Sequence, residues 1–429
     1  MILLLIIMLA AIFTGVPIAI ALGLTGTAAV LLGTNIPMAL VGARFVGGLE
    51  ATTLMAIPFF IFAGVLMEVG GIARRIIAFA EALVGWVTGS LLMVATVTAT
   101  GMAAICGSGS ADAAAVSAML GSDLRKRGYD MDFAAAQIAA AATLAQIIPP
   151  SIMLILVAVA GNLSTGTMLL SGIIPGILLM LALLASAYIH AKRHKFPSDS
   201  TINTFSLRAV LVTGAQAWAA WGMILIVVGG ILTGAVTATE AAALSAAYAL
   251  IVGVLVYREI DYGLFVRSVR RSAALSAAIL MIVGSVSVLN WVISTLGMQS
   301  HIHQLIVSTV DGRVGFLILS MVILLLLGMF IESFAVILLI TPVLMPLAIR
   351  YGVEPHHFGL LLVFNLCIGM ITPPFAATLF ATSTVLRRNI VDVSMKIVYP
   401  WLAMMIVLGL AMAFPDLSLY LPRLAGYVQ

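Results

Sequence analysis

The sequence contains few charged residues and very little cysteine. Only 8% of its 429 residues are Asp, Glu, Lys or Arg, whereas 63% are hydrophobic, and the mean hydropathy is +1.23. This composition excludes a soluble domain and predicts an integral membrane protein. The two cysteines, Cys106 and Cys367, stand far apart without a CxxC or CxxCH setting, so they indicate no disulfide framework, zinc site or attached haem.

Catalytic motifs are missing as well. The histidines lie at segment ends or in loops, without an HExxH motif, which argues against a haem pair or a metalloprotease within the membrane. Paired catalytic acids and cofactor motifs are not found in convincing form either, so we expect no enzyme, no organic cofactor and no transition metal. The net charge of +4 is spread over short loops, and it indicates membrane orientation rather than nucleic-acid binding.

Apolar segments recur along the whole chain, and the alternating pattern of an outer-membrane barrel is absent. They predict about eleven to thirteen helical pieces, several of them too short to cross a bilayer. The first apolar run, 2–32, has no basic leader or convincing cleavage site and is expected to remain in the mature protein, with a break at Pro17. The most basic loop, 192–195, is expected to face the cytoplasm. The predicted class is an all-α polytopic membrane protein.

Two pairs of adjacent prolines interrupt apolar segments. Pro149 and Pro150 lie within 133–158, and Pro373 and Pro374 lie within 358–386. Each proline removes a backbone donor and clashes with the preceding turn, so both segments are predicted to be broken helices.

Two helical hairpins are predicted beside the broken helices. Segments 91–105 and 110–124 are each too short to cross, and a Gly-Ser-Gly-Ser turn joins them, which predicts a re-entrant hairpin. The second candidate consists of 314–331 and 333–349, with a tip near Glu332 and Ser333. A continuous helix is the alternative at that tip.

The hairpin tip, an acidic turn and the double proline recur in the same order. Ser108 to Ser333 is an offset of 225, whereas Gly128 to Gly352 and Pro149 to Pro373 are offsets of 224. We therefore expect an internal duplication with two inverted repeats.

The expected division of the chain follows these repeats. Residues 1–90 form the scaffold and arm helices, and 91–166 form the first transport repeat, with hairpin 91–126 and broken helix 133–158. Residues 167–312 form scaffold and connecting helices, 313–396 form the second transport repeat, with hairpin 314–349 and broken helix 358–386, and 397–429 form the C-terminal helix.

Broken backbone deep in a bilayer survives only where protein or a water-filled cavity satisfies it, so the two breaks predict a transporter site near the midplane. Carbonyls, hydroxyls and carboxylates suit Na⁺, and glycine permits close approach. The predicted Na⁺ ligands are Gly107, Ser108, Ser110, Asp112, Ile148, Pro149, Gly328, Glu332, Ser333, Gly369, Thr372 and Pro373. The predicted substrate residues are Ser108, Gly109, Pro150, Ser151, Ser333, Pro374 and Thr378, with half-helix N-termini facing a carboxylate.

Three acidic residues need separate interpretations. A carboxylate at membrane depth costs several kcal/mol and marks function by default, so Asp112 is expected to ligate Na⁺, bind a proton or shape the substrate site, and Glu332 is treated in the same way. The alternative for Asp112 is a solvated carboxylate at the hairpin mouth. Glu240 follows Thr237 at capping-box spacing, and we assign it to helix capping.

Six stretches together resemble a known family. They are "IPFFIFAGVLMEVGGIARRI" (57–76), "AAICGSGSADAAAV" (103–116), "GYDMDFAAAQIAAAATLAQIIPPSIMLIL" (128–156), "TATEAAALSAAYAL" (237–250), "LGMFIESFAVILLITPVLMPLAIRYGVEPHHFG" (327–359) and "GMITPPFAATLF" (369–380). Their combination resembles the large membrane subunit of tripartite ATP-independent periplasmic (TRAP) transporters over nearly the whole chain.

The resemblance implies an elevator-type importer of carboxylate-bearing solutes, driven by two or more Na⁺ ions. It also implies two partners: a periplasmic substrate-binding protein and a small four-helix membrane subunit, which the chain length predicts to be a separate polypeptide. C4-dicarboxylates, sialic acids and other sugar or keto acids fall in the family range. The family often has a hydroxyl residue where this chain has Asp112. A stand-alone ion-coupled carboxylate transporter with the same core is the second hypothesis.

Overall fold

The computed structural model describes residues 6–7, 10–11, 14–33, 37–194 and 205–428. Within these ranges every regular element is a helix. Six helices are long and apolar enough to cross a membrane, or up to eight if each of two bent pairs forms one span. The prediction of an all-α polytopic membrane protein is confirmed. Lys195 and Pro197, in the predicted cytoplasmic loop, lie outside the described residues.

The helices follow one another through two similar halves joined by further helices. The first half contains α1 (Ile18–Gly33), α2 (Ala39–Gly47), α3 (Ala56–Val69), α4 (Ile72–Val84), α5 (Ser90–Cys106), α6 (Gly109–Lys126), α7 (Met131–Ala142), α8 (Ile152–Ala160) and α9 (Thr165–Ser171). The middle contains α10 (Ile173–Arg193), α11 (Leu207–Gln216), α12 (Trp218–Ile224), α13 (Gly230–Leu232), α14 (Ala238–Ile251), α15 (Tyr262–Thr295) and α16 (Met298–Thr309). The last part contains α17 (Gly312–Phe330), α18 (Ser333–Arg350), α19 (Pro355–Gly369), α20 (Ala377–Leu386), α21 (Ile390–Lys396), α22 (Val398–Ala413) and α23 (Asp416–Leu424).

Several helices were not predicted because they are short or carry charge. Helices α2, α11, α16, α21 and α23 contain polar residues that interrupt an apolar run, and α4 is amphipathic. Helix α15 also begins well before the predicted segment 272–296, because Arg267, Arg270 and Arg271 lower its hydropathy but do not oppose a helix. Hydropathy detects membrane segments, and it does not detect where a helix begins.

The four predicted hairpin arms and both broken helices are present, with ends within three residues of the predicted ones. We call α5 with α6 hairpin 1, α7 with α8 broken helix 1, α17 with α18 hairpin 2, and α19 with α20 broken helix 2. At the tip of hairpin 2, Ile331 and Glu332 are extended, with ψ angles of 144° and 131°. The alternative of one continuous helix is therefore wrong, whereas a re-entrant path through the bilayer remains a prediction.

The duplication is visible in individual hydrogen bonds. Gly128 and Gly352 both have positive φ, 73° and 69°, and each ends a hairpin arm. The next residue in each unit donates an equivalent hydrogen bond, from Tyr129 N–H to Leu124 O and from Val353 N–H to Ala348 O. Acidic N-caps then begin the two broken helices at Asp130 and Glu354. Such matched caps indicate two copies of one structural unit.

The packing of the two units is reciprocal. Helix α5 packs on α7 of its own unit, and α17 packs on α19 in the same way. The second arms are exchanged, since α6 packs on α20 and α18 packs on α8. The Cys367 thiol donates to Thr143 O at 3.6 Å, and these residues are 224 positions apart, the repeat offset. Exchanged contacts and a contact between equivalent residues are the signature of a two-fold axis.

The core is formed by the broken helices, and the remaining helices surround them. Every residue from Phe133 to Ala142 and from His357 to Gly369 is buried. Helix α3 packs against α14 and α15, and α15 also packs against α1 and α18. Helix α3 also packs on α5, so the hairpin arms α5 and α18 contact a frame formed by α1, α3, α14 and α15.

Thr237 and Glu240 form the predicted capping box at the start of α14. The Glu240 carboxylate accepts from Thr237 N at 2.7 Å, and Thr237 Oγ1 accepts from Glu240 N at 3.3 Å. The assignment of Glu240 to helix capping is confirmed.

Candidate solute and ion site

The tip of hairpin 1 lies directly against the break in broken helix 1. Gly107 has a φ of +63°, and a Cβ atom there would lie 2.9 Å from Pro150 O. A Cβ on Gly109 would lie 3.2 Å from Ala142 O and 3.5 Å from Gln146 Nε2. Gly107 therefore requires glycine, a Cβ on Gly109 would make a tight contact, and the tip backbone approaches the carbonyls at the break closely.

The tip of hairpin 2 meets broken helix 2 in the same manner. A Cβ on Gly369 would lie 2.9 Å from the carbonyl carbon of Gly328, so these backbones are in contact. Phe375 N–H donates to Met329 O at 3.2 Å. The structure thus brings each predicted tip together with its predicted break. We call these two units the tip-and-break pairs.

A hydroxyl from the second half-helix closes each break. Ser151 Oγ donates to Gln146 O and accepts from Leu154 N at 3.2 Å. Thr378 Oγ1 donates to Met370 O at 3.0 Å, and Gln146 and Met370 are equivalent by the repeat offset. Both proline pairs contain a cis peptide bond. The polar backbone freed by the prolines is partly satisfied inside each unit.

The two breaks differ in length. Broken helix 1 resumes at Ile152, directly after the Ser151 N-cap. Broken helix 2 resumes only at Ala377, after Ala376 in the left-handed region with a φ of +42°. The half-helix N-terminus predicted directly after Pro374 is therefore displaced toward Ala377, and Pro374 is exposed.

One cavity touches both hairpin tips. It has a volume of about 270 Å³ and lies between them and the helices α3 and α15. We call it the tip cavity. Its polar and charged lining residues are Glu68, Ser108, Ser110, Arg271 and Glu332. The remaining lining residues are Ile61, Gly64, Val65, Ala111, Ile152, Leu275, Ala278, Ile279, Ile282 and Phe334.

The predicted site residues fall into two groups. Ser108, Ser110 and Glu332 line the tip cavity. The others surround the tips and breaks: Gly107, Gly109, Asp112, Pro149, Pro150, Ser151, Gly328, Ser333, Gly369 and Thr378 are buried, and Ile148, Thr372 and Pro373 are half-buried. Thr372 Oγ1 is already engaged, since it donates to Ile368 O at 2.6 Å and accepts from Trp401 Nε1 at 3.1 Å.

The two predicted carboxylates differ in position. Asp112 is 1% exposed and lies in the first turn of α6, where its N–H donates to Ser108 O at 3.0 Å. Glu332 stands at the N-cap position of α18 and reaches the cavity. Asp112 is therefore not a solvated carboxylate at the hairpin mouth, whereas its possible roles as a cation, proton or substrate ligand stay predictions.

Sequence reasoning missed two charged residues of the cavity. Arg271 Nη1 donates to Glu68 Oε2 at 3.0 Å, which joins α15 to α3. The sequence shows Arg271 only as part of a basic cluster, and nothing in the sequence connects it with Glu68. The signal in the sequence was that a carboxylate and a guanidinium each border an apolar helical run, where charged residues are often functional.

Two buried amide oxygens also belong near the site. Gln146 Oε1 and Asn365 Oδ1 accept no hydrogen bond within the described residues. Gln146 lies at the first break, and Asn365 lies in α19, where its Nδ2 donates to Met321 O at 3.0 Å. An amide oxygen with free lone pairs is a suitable ligand for a hard cation.

Fold and site together define a helical membrane transporter component with duplicated tip-and-break pairs. The crystal structure of the Alcanivorax borkumensis YdaH transporter has a similar fold, with a TM-score of 0.57 and 13% identity over 87% of this chain and 86% of that one. Residues 5–417 match the family described as tripartite ATP-independent periplasmic transporter, DctM component. The chain belongs to this family; it is a transporter subunit of the bacterial inner membrane and not an enzyme.

Two curated relatives illustrate the family. The chain is 34% identical to the C4-dicarboxylate TRAP transporter large permease protein DctM of Pseudomonas aeruginosa, over 95% of this chain and 94% of that protein. It is 36% identical to the isethionate TRAP transporter permease protein DctMQ of Oleidesulfovibrio alaskensis, over 91% of this chain. The match spans 61% of the length of that second relative.

Proposed function

We propose that this chain is the large membrane subunit of a Na⁺-coupled importer of carboxylate-bearing solutes. A periplasmic binding protein delivers the solute, and a small four-helix membrane subunit braces the scaffold. The observation that carries the proposal is the pairing of each hairpin tip with a broken helix while both tips line one cavity. This arrangement suits an ion and an anion held side by side at the membrane midplane.

The Na⁺ ions bind within the tip-and-break pairs. Carbonyl oxygens of Ala142 and Pro150 lie close to the backbone of Gly107 and Gly109, and the Gln146 amide oxygen adds a side-chain ligand. In the pair formed by hairpin 2 and broken helix 2, the close approach of Gly328 and Gly369 brings backbone carbonyls near each other. These carbonyls ligate the ion in the same way. Neutral oxygens of this kind replace the hydration shell of a small cation.

The solute binds in the tip cavity beside these ions. Ser108 and Ser110 supply hydroxyls from unit 1, and Ser333 begins the helix of hairpin 2 next to Glu332. The relatives are named for isethionate and C4-dicarboxylates, which are organic acids. A cation bound in each tip stiffens that tip and favours an acid group next to it, so ion and solute increase each other's affinity.

The packing of the helices supports an elevator motion. The two units exchange their second arms and share a buried core, so they move together as one transport body. The frame of α1, α3, α14 and α15 contacts that body along the hairpins, and sliding against this frame carries the tip cavity across the bilayer.

The decisive experiment is solute uptake by proteoliposomes that contain this chain and its small subunit, with an imposed Na⁺ gradient. Uptake that requires both the gradient and a binding protein supports the proposal. Na⁺-driven uptake without a binding protein favours a stand-alone carboxylate transporter. Uptake that is indifferent to Na⁺ contradicts the ion assignment.

A further inference from the structure

We propose that Arg271 is the anion-binding side chain of the tip cavity, and that the cavity takes a solute with a single acid group. This inference rests on the proposed function, because it assumes that the tip cavity is the solute site. The geometry of the cavity wall carries the argument.

Among the residues that the structure describes, Arg271 is the one cationic side chain lining the tip cavity. Its Nη1 donates to Glu68 Oε2 at 3.0 Å, and the guanidinium has further N–H donors in a planar fork that suits carboxylate or sulfonate oxygens. The side chain is 44% exposed. It can therefore keep Glu68 on one edge and bind an incoming acid group with the other.

Glu68 positions the guanidinium. Its carboxylate holds one nitrogen of Arg271, and both residues belong to the frame helices α3 and α15. The arginine therefore stays with the frame while the hairpin tips belong to the transport body. A solute held between them contacts both bodies, and its contact with Arg271 exists only while the tips face this level of the frame.

The rest of the wall on α15 is apolar. Leu275, Ala278, Ile279 and Ile282 follow Arg271 at helical spacing and line the same cavity. One charged group at the end of an apolar wall fixes the orientation of a ligand, with its acid group at Arg271 and its body along α15. The low polarity beside the guanidinium also strengthens its attraction for an anion.

The charges of the cavity favour one acid group over two. Two carboxylates, Glu68 and Glu332, and one guanidinium line it, so the formal charge is negative before any ion binds. A monoanion has Arg271 as its partner, whereas the second acid group of a dianion meets no second cationic side chain among the described lining residues and has only the bound Na⁺ ions as partners. Repulsion between the cavity carboxylates and the second acid group therefore disfavours binding of a dianion.

Anion binding to the purified full-length chain in nanodiscs tests the inference. Thermal stabilisation is titrated with isethionate, a sialic acid or succinate at saturating Na⁺. We expect a monoanion to stabilise the wild type at lower concentration than succinate. Arg271→Gln is expected to weaken monoanion binding at least about tenfold, since hydrogen bonds to charged groups contribute roughly 1.5–3 kcal/mol. Arg271→Lys retains part of the affinity.

Two further variants separate binding from folding. Arg270→Gln removes the same charge from the neighbouring residue, which does not line the cavity, and it is expected to bind as the wild type does. Glu68→Gln removes the carboxylate that positions the guanidinium but leaves Arg271 in place, so the anion is expected to bind more weakly than to the wild type and more tightly than to Arg271→Gln. Stabilisation by Na⁺ alone should persist in all variants.

Equal binding by the Arg271→Gln and Arg270→Gln variants would overturn the role of Arg271, while Na⁺-driven uptake would still support the proposed function. Succinate binding as tight as that of the monoanions would overturn the single acid group, and a wild-type chain stabilised by none of the three anions would contradict the whole inference. Absence of uptake by the wild-type complex counts against the proposed function itself.

Discussion

At the scale of single residues, the site depends on glycines that let two stretches of backbone touch. Gly107 combines a positive φ with a carbonyl 2.9 Å from the position of a Cβ atom, whereas Gly128 has a positive φ with nothing within 4 Å. These two glycines therefore separate the cost of backbone conformation from the cost of contact with the break. Glycine is needed at Gly107 for both its positive φ and its contact with the break, and at Gly128 for its positive φ alone.

The Gly107→Ala variant is expected to weaken Na⁺ binding at least about tenfold, because the methyl group pushes the tip away from Pro150. It should also lose roughly 1–2 kcal/mol of stability, since a Cβ is unfavourable in the left-handed region. Gly128→Ala should show the stability loss alone. Na⁺-dependent thermal stabilisation measures both effects, and equal Na⁺ affinity in the two variants would show that tip contact is unimportant.

Gln146 offers a second residue-scale prediction. Its Oε1 accepts no hydrogen bond within the described residues, whereas the buried Gln137 amide is bonded to Thr96, Leu183 and Ser186. Gln146→Leu is expected to lower Na⁺ affinity with little loss of stability. Gln137→Leu is expected to lose roughly 1–3 kcal/mol of stability, because its partners remain buried and unsatisfied, without a change in Na⁺ affinity. The reverse pattern would remove Gln146 from the ion site.

At the scale of elements, acidic N-caps fix where each broken helix begins. Asp130 accepts from the N–H groups of Asp132 and Phe133 at 3.0 and 3.2 Å, and Lys396 Nζ lies 3.1 Å from its carboxylate. Burial acts to raise the pKa of Asp130, but these hydrogen bonds and the Lys396 charge outweigh it and hold the pKa below its ordinary value of 3.8. Asp132 in turn binds Arg388 at 2.6 Å, so the start of broken helix 1 is tied to the segment after broken helix 2.

The lowered pKa of Asp130 gives a pH-dependent prediction. A carboxyl group whose pKa is lower in the folded state stabilises the fold above its unfolded pKa, and this contribution is lost as the pH falls through the folded value. Asp130→Asn keeps a cap acceptor but removes the charge, so it should cost about 0.5–1 kcal/mol at pH 7. The gap from the wild type should close below roughly pH 4.

Thermal unfolding of both forms across pH 3 to 7 measures that gap. Asp311→Asn is the control, because the Asp311 side chain makes no cap hydrogen bond before α17. A gap for Asp130→Asn that persists unchanged at low pH would show that the charge of Asp130 is not the cause.

At the scale of the whole molecule, the chain contains two interlocked units that pack against a frame formed by α1, α3, α14 and α15. The second arm of each hairpin packs on the half-helix of the other unit, so neither unit can move without the other. Frame contacts with the hairpins include α3 on α5 and α15 on α18. Relative motion is therefore expected between frame and units and not between the units.

Cross-linking tests that division. In a background without native cysteines, Ser110→Cys and Ala278→Cys place thiols on the tip and on the frame around the same cavity. A short bifunctional thiol reagent joining them is expected to abolish uptake. The control joins Gly23→Cys on α1 to Ser285→Cys on α15, where a Cβ on Gly23 would lie 3.7 Å from Ser285 Cβ within the frame, and it should preserve uptake. Uptake that survives the first cross-link would contradict an elevator motion.

The sequence alone determined the class of the protein, the duplication, the two breaks and the identity of most tip residues. It did so because hydropathy, double proline and glycine-serine turns act through local backbone chemistry, which neighbours in sequence specify. The capping box at Thr237 and Glu240 was predictable for the same reason. Short helices such as α2 and α16 were not predicted, since no long apolar run marks them.

Only the tertiary structure decided which distant residues meet. The exchange of second hairpin arms, the contact of Cys367 with Thr143, and the pairing of Arg271 with Glu68 join residues about 200 or more positions apart. No local pattern encodes such contacts, because they depend on how whole helices pack once their apolar surfaces are buried together. The walls of the tip cavity were fixed at that level, by frame helices whose sequences show membrane segments and nothing of the solute site.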